Sequence, residues 1–245
     1  MPNRVLKLGG TQLERLAELS TYLHDQREGW TVIVHGGGRE LSRVRQQLGI
    51  EAHAMLERRA TTHREMDMTT MVLCGLVNKR IVAHLVDDGH RVLGLSGVDL
   101  GCMRSAFINE AQLGRVGGPP RVDPEPLLWL LEAGVVLVVA PICTGHDGGQ
   151  VKVDGDDVAQ SLAVALDAKL LEFAGDTDAL RGGEGPIDRL SASEVDQLVA
   201  SPDVRGTMVP KLHATMAALE GGVAGVRIGS LDSLTHGGAT VVSPT

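Results

Sequence analysis

Positive charge is in short supply in this 245-residue chain: 23 lysines and arginines stand against 31 aspartates and glutamates, a formal net charge of −8. Neutralising the phosphates of a nucleic-acid duplex needs a basic surface, so that class of partner is excluded. Cysteine is also scarce. Cys74, Cys102 and Cys143 are odd in number, widely spaced and without a Cys-x-x-Cys pair; this excludes a disulfide framework and a zinc knuckle and leaves three reduced core residues. No apolar run reaches the roughly 18–20 residues that span a bilayer, and the N-terminus has no charged segment leading into an apolar one. The expectation is a cytoplasmic protein without a membrane partner. Low-complexity linkers, internal repeats and blocks of like charge are missing too. Hydrophobic residues make up 43% of the chain, enough to bury a full core.

Apolar β-branched runs alternate with helical spacing almost from the first residue. Residues 4–8 predict a strand ending at Gly9-Gly10, 12–27 a helix, and 31–34 a second strand ending at Gly36-Gly37-Gly38. Helices are expected over 40–47 and 65–88, then a strand over 91–95. Further on, 124–133 reads as a helix with Pro126 in its first turn, 135–140 as a buried parallel strand, 156–166 as a helix and 170–173 as a strand. Helices over 193–200 and 210–220, the second stopped by Gly221-Gly222, precede closing strands over 225–228 and 239–242. The sum is an α/β fold, a mostly parallel sheet with helices on both faces. In such sheets ligands collect outside the carboxyl ends of the strands.

Neither a Gly-x4-Gly-Lys-Ser/Thr loop nor the protein-kinase signature set is present. Phosphoryl transfer nevertheless needs only positive charge, N–H donors and alignment. Lys7 ends the first strand just before Leu8-Gly9-Gly10, and Gly36-Gly37-Gly38 precedes a helix N-terminus, whose partial positive charge favours an anion. The plain alternative is turn chemistry for the glycines and solvation for the lysine. Asp154, Asp156 and Asp157 precede a helix, where they can act as N-caps, and Asp156 can combine that with a charge-pairing role. His35 is expected to support the glycine loop, because a carboxylate acceptor is already ionised and needs no base.

The order of several such motifs is distinctive: Lys7-Leu8-Gly9-Gly10, Val34-His35-Gly36-Gly37-Gly38, Arg59-Ala60-Thr61, Gly75-Leu76-Val77-Asn78-Lys79 and Gly94-Leu95-Ser96-Gly97. Leu113-Gly114-Arg115-Val116-Gly117, Asp154-Gly155-Asp156 and Met208-Val209-Pro210-Lys211 follow. Over nearly its whole length the chain resembles the amino acid kinase family, and within it the acetylglutamate kinase branch. That resemblance implies a three-layer αβα sandwich, one domain over 1–245 with an acyl-amino-acid lobe over about 1–143 and a nucleotide lobe over about 144–245. It implies transfer of the γ-phosphoryl group of ATP, with Mg2+, to the side-chain carboxylate of an N-acylated acidic amino acid in arginine or lysine biosynthesis. It also implies a homodimer; with no helix ahead of the first strand, arginine feedback is not expected. By position, Lys7 and Lys211 would neutralise the transferring group and Asp156 would hold both ammonium groups. Gly9, Gly10 and Gly36 would serve phosphate and nucleotide, and Gly37, Gly38, Arg59 and Lys152 the substrate. No metal ligand from the protein is implied.

Three departures stand out. Lys152 occupies a position where the family has asparagine, the usual Thr/Ser-Asp pair at a strand end is gone or shifted in residues 171–178, and little room is left between 228 and 237 for a final helix. Two alternatives follow. One is a kinase for aminoadipate or glutamate on a small acidic carrier protein, received by Arg58, Arg59, Arg64, Arg104, Arg115 and Arg121. The other is a catalytically degenerate sensor of amino acid or nucleotide.

Overall fold

The computed structural model describes residues 3–26, 29–50, 54–55, 58–59, 61–182, 185–200, 206 and 208–245. Eight strands form one sheet: β1 (Arg4–Leu8), β2 (Thr31–His35), β3 (Val92–Ser96), β4 (Val136–Ala140), β5 (Leu170–Ala174), β6 (Arg189–Ser191), β7 (Gly225–Gly229) and β8 (Thr240–Ser243). Their spatial order is β6-β8-β7-β5-β1-β2-β4-β3. The β7–β8 pair is antiparallel and the other neighbours run parallel. Parallel neighbours need crossovers, and helices supply them on both faces.

Those helices are α1 (Leu16–Asp25), α2 (Gly38–Gln47), α3 (His63–Asp87), α4 (Glu125–Glu132), α5 (Gly155–Ala165), α6 (Ala192–Ala200), α7 (Met208–Glu220) and α8 (Leu231–His236). Side chains alternate across each strand. Val5, Val32 and Val34 therefore join Leu127, Leu162 and Leu212 in one core, while Leu6, Leu8 and Ile33 join Leu19, Leu85 and Leu231 in the other. The expected three-layer αβα sandwich is present.

Helix α3 begins with a capping box: Thr62 accepts from the Glu65 N–H, and the Glu65 carboxylate accepts from the Thr62 N–H. Its middle, Met71–Val77, is π-helical. At 25 residues α3 is long and apolar enough to cross a membrane, yet it packs Met66, Met68, Val72, Leu73, Val77, Ile81 and Leu85 into the second core.

Several expectations need correction. The helix over 12–27 is split into a 3-10 turn, Gly10–Glu14, and α1, with the break at Arg15 (φ −121°, ψ 42°). Buried Gln12 donates to the Gly175 carbonyl at 2.8 Å, which ties the turn to the exit of β5. A final helix does fit: α8 is six residues long and capped by Ser230, which accepts from the Ser233 N–H. A second, five-stranded sheet was not foreseen. It runs Val116–Gly117, Gln150–Val153, Ile142–Thr144, Met103–Arg104, Arg121–Val122. The cysteines are free, with Cys102 and Cys143 buried; burial pushes their thiols up to about 11 and about 12.

Candidate active site

The carboxyl ends of β1, β2, β5 and β7 open on one side of the sheet, and helices α2, α5 and α7 start there. Between them lies a cavity of about 610 Å³ lined by Lys7, the two glycine loops, Lys152, Asp154–Asp156, Phe173–Thr177 and Lys211. Three charges from distant parts of the sequence meet in it. Lys7, on β1, places its Nζ 2.6 Å from Oδ1 of Asp156 in the first turn of α5, and Lys211, on α7, places its Nζ 3.7 Å from the same oxygen.

Burial works against the Asp156 carboxylate, but the two ammonium groups outweigh it and hold the carboxyl below its ordinary range. Lys211 responds the other way. Burial first, then the charge of Lys7, push its ammonium down to about 8, against the pull of Asp156 and Asp154. Its Nζ lies 4.5 Å from the centre of the Phe173 ring, where the aromatic face favours a cation. Both ammonium groups converge on one carboxylate oxygen at the cavity, where an entering phosphate would meet them together.

The helix cap and the charge bridge are divided between two aspartates. Asp154 caps α5, its Oδ1 accepting from the Asp156 N–H at 2.9 Å, so Asp156 does not combine the two roles. The glycines divide too. The Gly9 N–H donates to the Ala174 carbonyl at 2.8 Å and the Gly36 N–H to the Leu8 carbonyl at 3.3 Å; both are already used in joining strands. Gly10 opens the 3-10 turn, Gly37 caps α2 and Gly38 is its first residue. Backbone N–H groups at such positions have no intrahelical acceptor and are available to an anion. A Cβ at Gly37 would lie 2.4 Å from Leu73 Cδ2 of the π-helical segment, so a larger residue there would force the Leu73 side chain to shift.

His35 is buried beneath this loop. Its Nδ1 lies 2.7 Å from the Gly36 carbonyl oxygen, which can only accept, so Nδ1 carries the proton and Nε2 accepts from the Asn78 amide at 3.2 Å. Asn78 also donates to the Val138 carbonyl, and its Oδ1 accepts from Lys79. Burial lowers the imidazole to about 4, so His35 is neutral and supports the loop.

Lys152, on a strand of the second sheet, borders the cavity. Arg59 pairs its backbone with Ala54, but its side chain lies outside the described residues. Arg115 is not a free surface cation: it is buried and forms a bidentate pair with Asp147 at 2.8 and 3.0 Å. In the altered 171–178 segment, Asp176 accepts from Thr11 and Asp178 accepts from Ser230 at 2.6 Å. Hydroxyl–carboxylate contacts are thus kept at the exit of β5, in a form that motif spacing had not indicated.

A model described as the amino acid kinase family matches residues 3–230. The chain belongs to that family. This amino acid kinase is 38% identical over 248 residues to an acetylglutamate kinase from Methanopyrus kandleri, covering 97% of this chain and 99% of that one. Among solved structures it is similar in fold to N-acetylglutamate synthase from Neisseria gonorrhoeae complexed with coenzyme A and N-acetyl-glutamate. The TM-score is 0.85 and the identity 23%, over 99% of this chain and 59% of that one. Carbamate kinase from Giardia lamblia bound to AMP-PNP matches over 100% of this chain and 99% of that one, with a TM-score of 0.74 and 15% identity.

Proposed function

We propose that this amino acid kinase transfers the γ-phosphoryl group of ATP to the side-chain carboxylate of N-acetylglutamate. It is an acetylglutamate kinase-like phosphotransferase, an ATP-dependent enzyme; the acceptor and the roles of individual residues are the proposal. The observation that carries it is the pair of ammonium groups, Lys7 and Lys211, held on the single carboxylate of Asp156 at the cavity. In the transfer, a carboxylate oxygen bonds to the γ-phosphorus, the bond from that phosphorus to the bridging oxygen breaks, and ADP leaves with the electron pair.

No base is required, since the acceptor is ionised near neutral pH. Lys7 and Lys211 stabilise the charge that spreads over the equatorial oxygens, and Asp156 keeps the two cations apart and in register. The N–H groups of Gly10, Gly37 and Gly38 receive phosphate and substrate oxygens, while Gly9 and Gly36 let the loops approach closely. Arg59 and Lys152 serve the acceptor's remaining carboxylate. In this reading the half of the chain up to about residue 143 holds the acyl amino acid and the remainder the nucleotide. The carboxylates at the cavity are engaged: Asp154 caps, Asp156 is paired and Asp176 accepts from Thr11. Mg2+ would be held chiefly by the phosphates of ATP and would supply further positive charge to the transferring group. The enzyme is a cytoplasmic homodimer in this reading.

Lys152 is the specific observation favouring a second acceptor, a carrier-bound aminoadipate or glutamate, because it adds a cation where the family has an amide. ADP release measured with MgATP and N-acetylglutamate, beside a Lys211→Ala control, separates the readings. Turnover lost in the control supports N-acetylglutamate as acceptor. No turnover by the parent enzyme overturns it, and turnover restored by a carrier-bound acceptor would assign the second reading.

A further inference from the structure

A different cluster lies at the other edge of the sheet, where the amino ends of β2, β3 and β4 border a cavity of about 320 Å³. His24 is in the last turn of α1, Asp88 directly follows α3 and His90 lies two residues on, beyond a turn at Gly89 (φ 85°). That left-handed turn, which glycine adopts without strain, turns the chain between Asp88 and His90. One ligand atom from each of His24, Asp88 and His90 lies within 4.8 Å of the others, and the two imidazole rings are 4.5 Å apart, tilted by 37°. Ser20, one turn before His24 on α1, donates to Asp88 Oδ2, and its hydroxyl lies 3.3 Å from His90 Nε2.

We propose that His24, Asp88 and His90 bind one divalent transition-metal ion of the zinc class. Two imidazoles and a carboxylate are the donor set such ions take, in a three-ligand arrangement that leaves a position for water. Bonds of about 2.1 Å to a tetrahedral ion place ligand atoms about 3.4 Å apart, so small side-chain rotations close the site. Ser20 serves as the outer partner that orients the carboxylate. The cavity, which His24, Trp30 and His90 also line, gives the ion and its water a way in. Mg2+ prefers oxygen ligands and is a poor match, so the site is separate in chemistry as well as position from the one that takes MgATP. Bound there, the ion would tie the end of α1 to the α3–β3 turn.

The test uses the full chain stripped with chelator and titrated with Zn2+ in the presence of excess Mg2+, followed by metal stoichiometry after dialysis and by melting temperature. One ion per chain and a raised melting temperature are expected. Affinity should fall at least about tenfold in both His24→Ala and Asp88→Asn, and severalfold in Ser20→Ala, with MgATP-dependent turnover of the metal-free variants unchanged. Absence of saturable binding, or binding as tight in His24→Ala and Asp88→Asn as in the parent, would overturn the site and leave only adventitious ion on other histidines.

Discussion

Two clusters in this molecule have the same composition, two cations around one carboxylate, and opposite roles. Both draw on β1 and both involve neighbouring residues of β5. Glu172 points to the α1 and α8 side of the sheet, where Arg4 Nη1 lies 3.7 Å and Arg227 Nη1 3.1 Å from its oxygens and Tyr22 donates its hydroxyl. Phe173 points to the other side, under Lys211. The first cluster is sealed at its centre, with Arg4 1% and Glu172 0% exposed, while Arg227 reaches the surface at 21%. The second borders the cavity, which Lys7, Asp156 and Lys211 all line. Arginine stays charged when buried, whereas a lysine shifts its pKa with its surroundings. In the first cluster, burial together with Glu172 pushes the Tyr22 phenol well above its ordinary range. In the second cluster the Lys211 ammonium is shifted by its surroundings, and a ligand entering the cavity can complete the cluster.

Removing a member from each cluster separates the roles most sharply. Lys7→Ala is expected to lower kcat/KM by about 10²–10³-fold, the scale of one lost charge-stabilising donor, with little change in melting temperature. A loss under about tenfold would take Lys7 out of the phosphoryl path. Glu172→Gln leaves the buried guanidinium of Arg4 and the half-buried one of Arg227 without their counter-charge, so it should cost about 3 kcal/mol in urea denaturation while the folded fraction keeps its specific activity. Unchanged stability would show that the sealed cluster is not a structural requirement.

A smaller effect comes from pH. With Lys211 at about 8, kcat/KM should fall about tenfold per pH unit above that value as the ammonium is lost, and Lys211→Arg should flatten the profile. Stability has the opposite sign. Between about 8 and the ordinary lysine value of 10.5, the unfolded chain binds more protons than the native one, so this group makes stability rise with pH across that window. Below about 8 its destabilising contribution is fully present. A kcat/KM profile level through pH 9 would show that the charge on Lys211 is not needed.

The parallel core was legible because β-branched runs ended in glycines, as at 4–10 and 31–38. The second sheet was not, because three of its five strands are two residues long and find their partners through the tertiary fold. Lys7, Asp156 and Lys211 were readable as candidates only through the order of motifs, since no local pattern announces that β1, α5 and α7 converge. Glu172 appeared as part of a broken nucleotide motif; strand alternation places it on the other face, in the sealed cluster. Gly9 and Gly36 looked like free donors because the carbonyls they pair with, those of Ala174 and Leu8, are assigned only by strand register.

The strand order has a consequence for how the protein comes to work during synthesis. β1 is made early, yet it lies mid-sheet between β2, which follows at once, and β5, which begins at Leu170. Until the ribosome has delivered β5, one side of β1 stays without its ladder partner, and the nascent chain exposes an apolar edge of the kind that chaperones engage. Lys211 arrives later still. Asp156 and Lys7 can meet before α7 exists, so the trio of Lys7, Asp156 and Lys211 is completed only once α7 is made, and a chain truncated before residue 211 would lack β7 and β8 together with the third member of that trio.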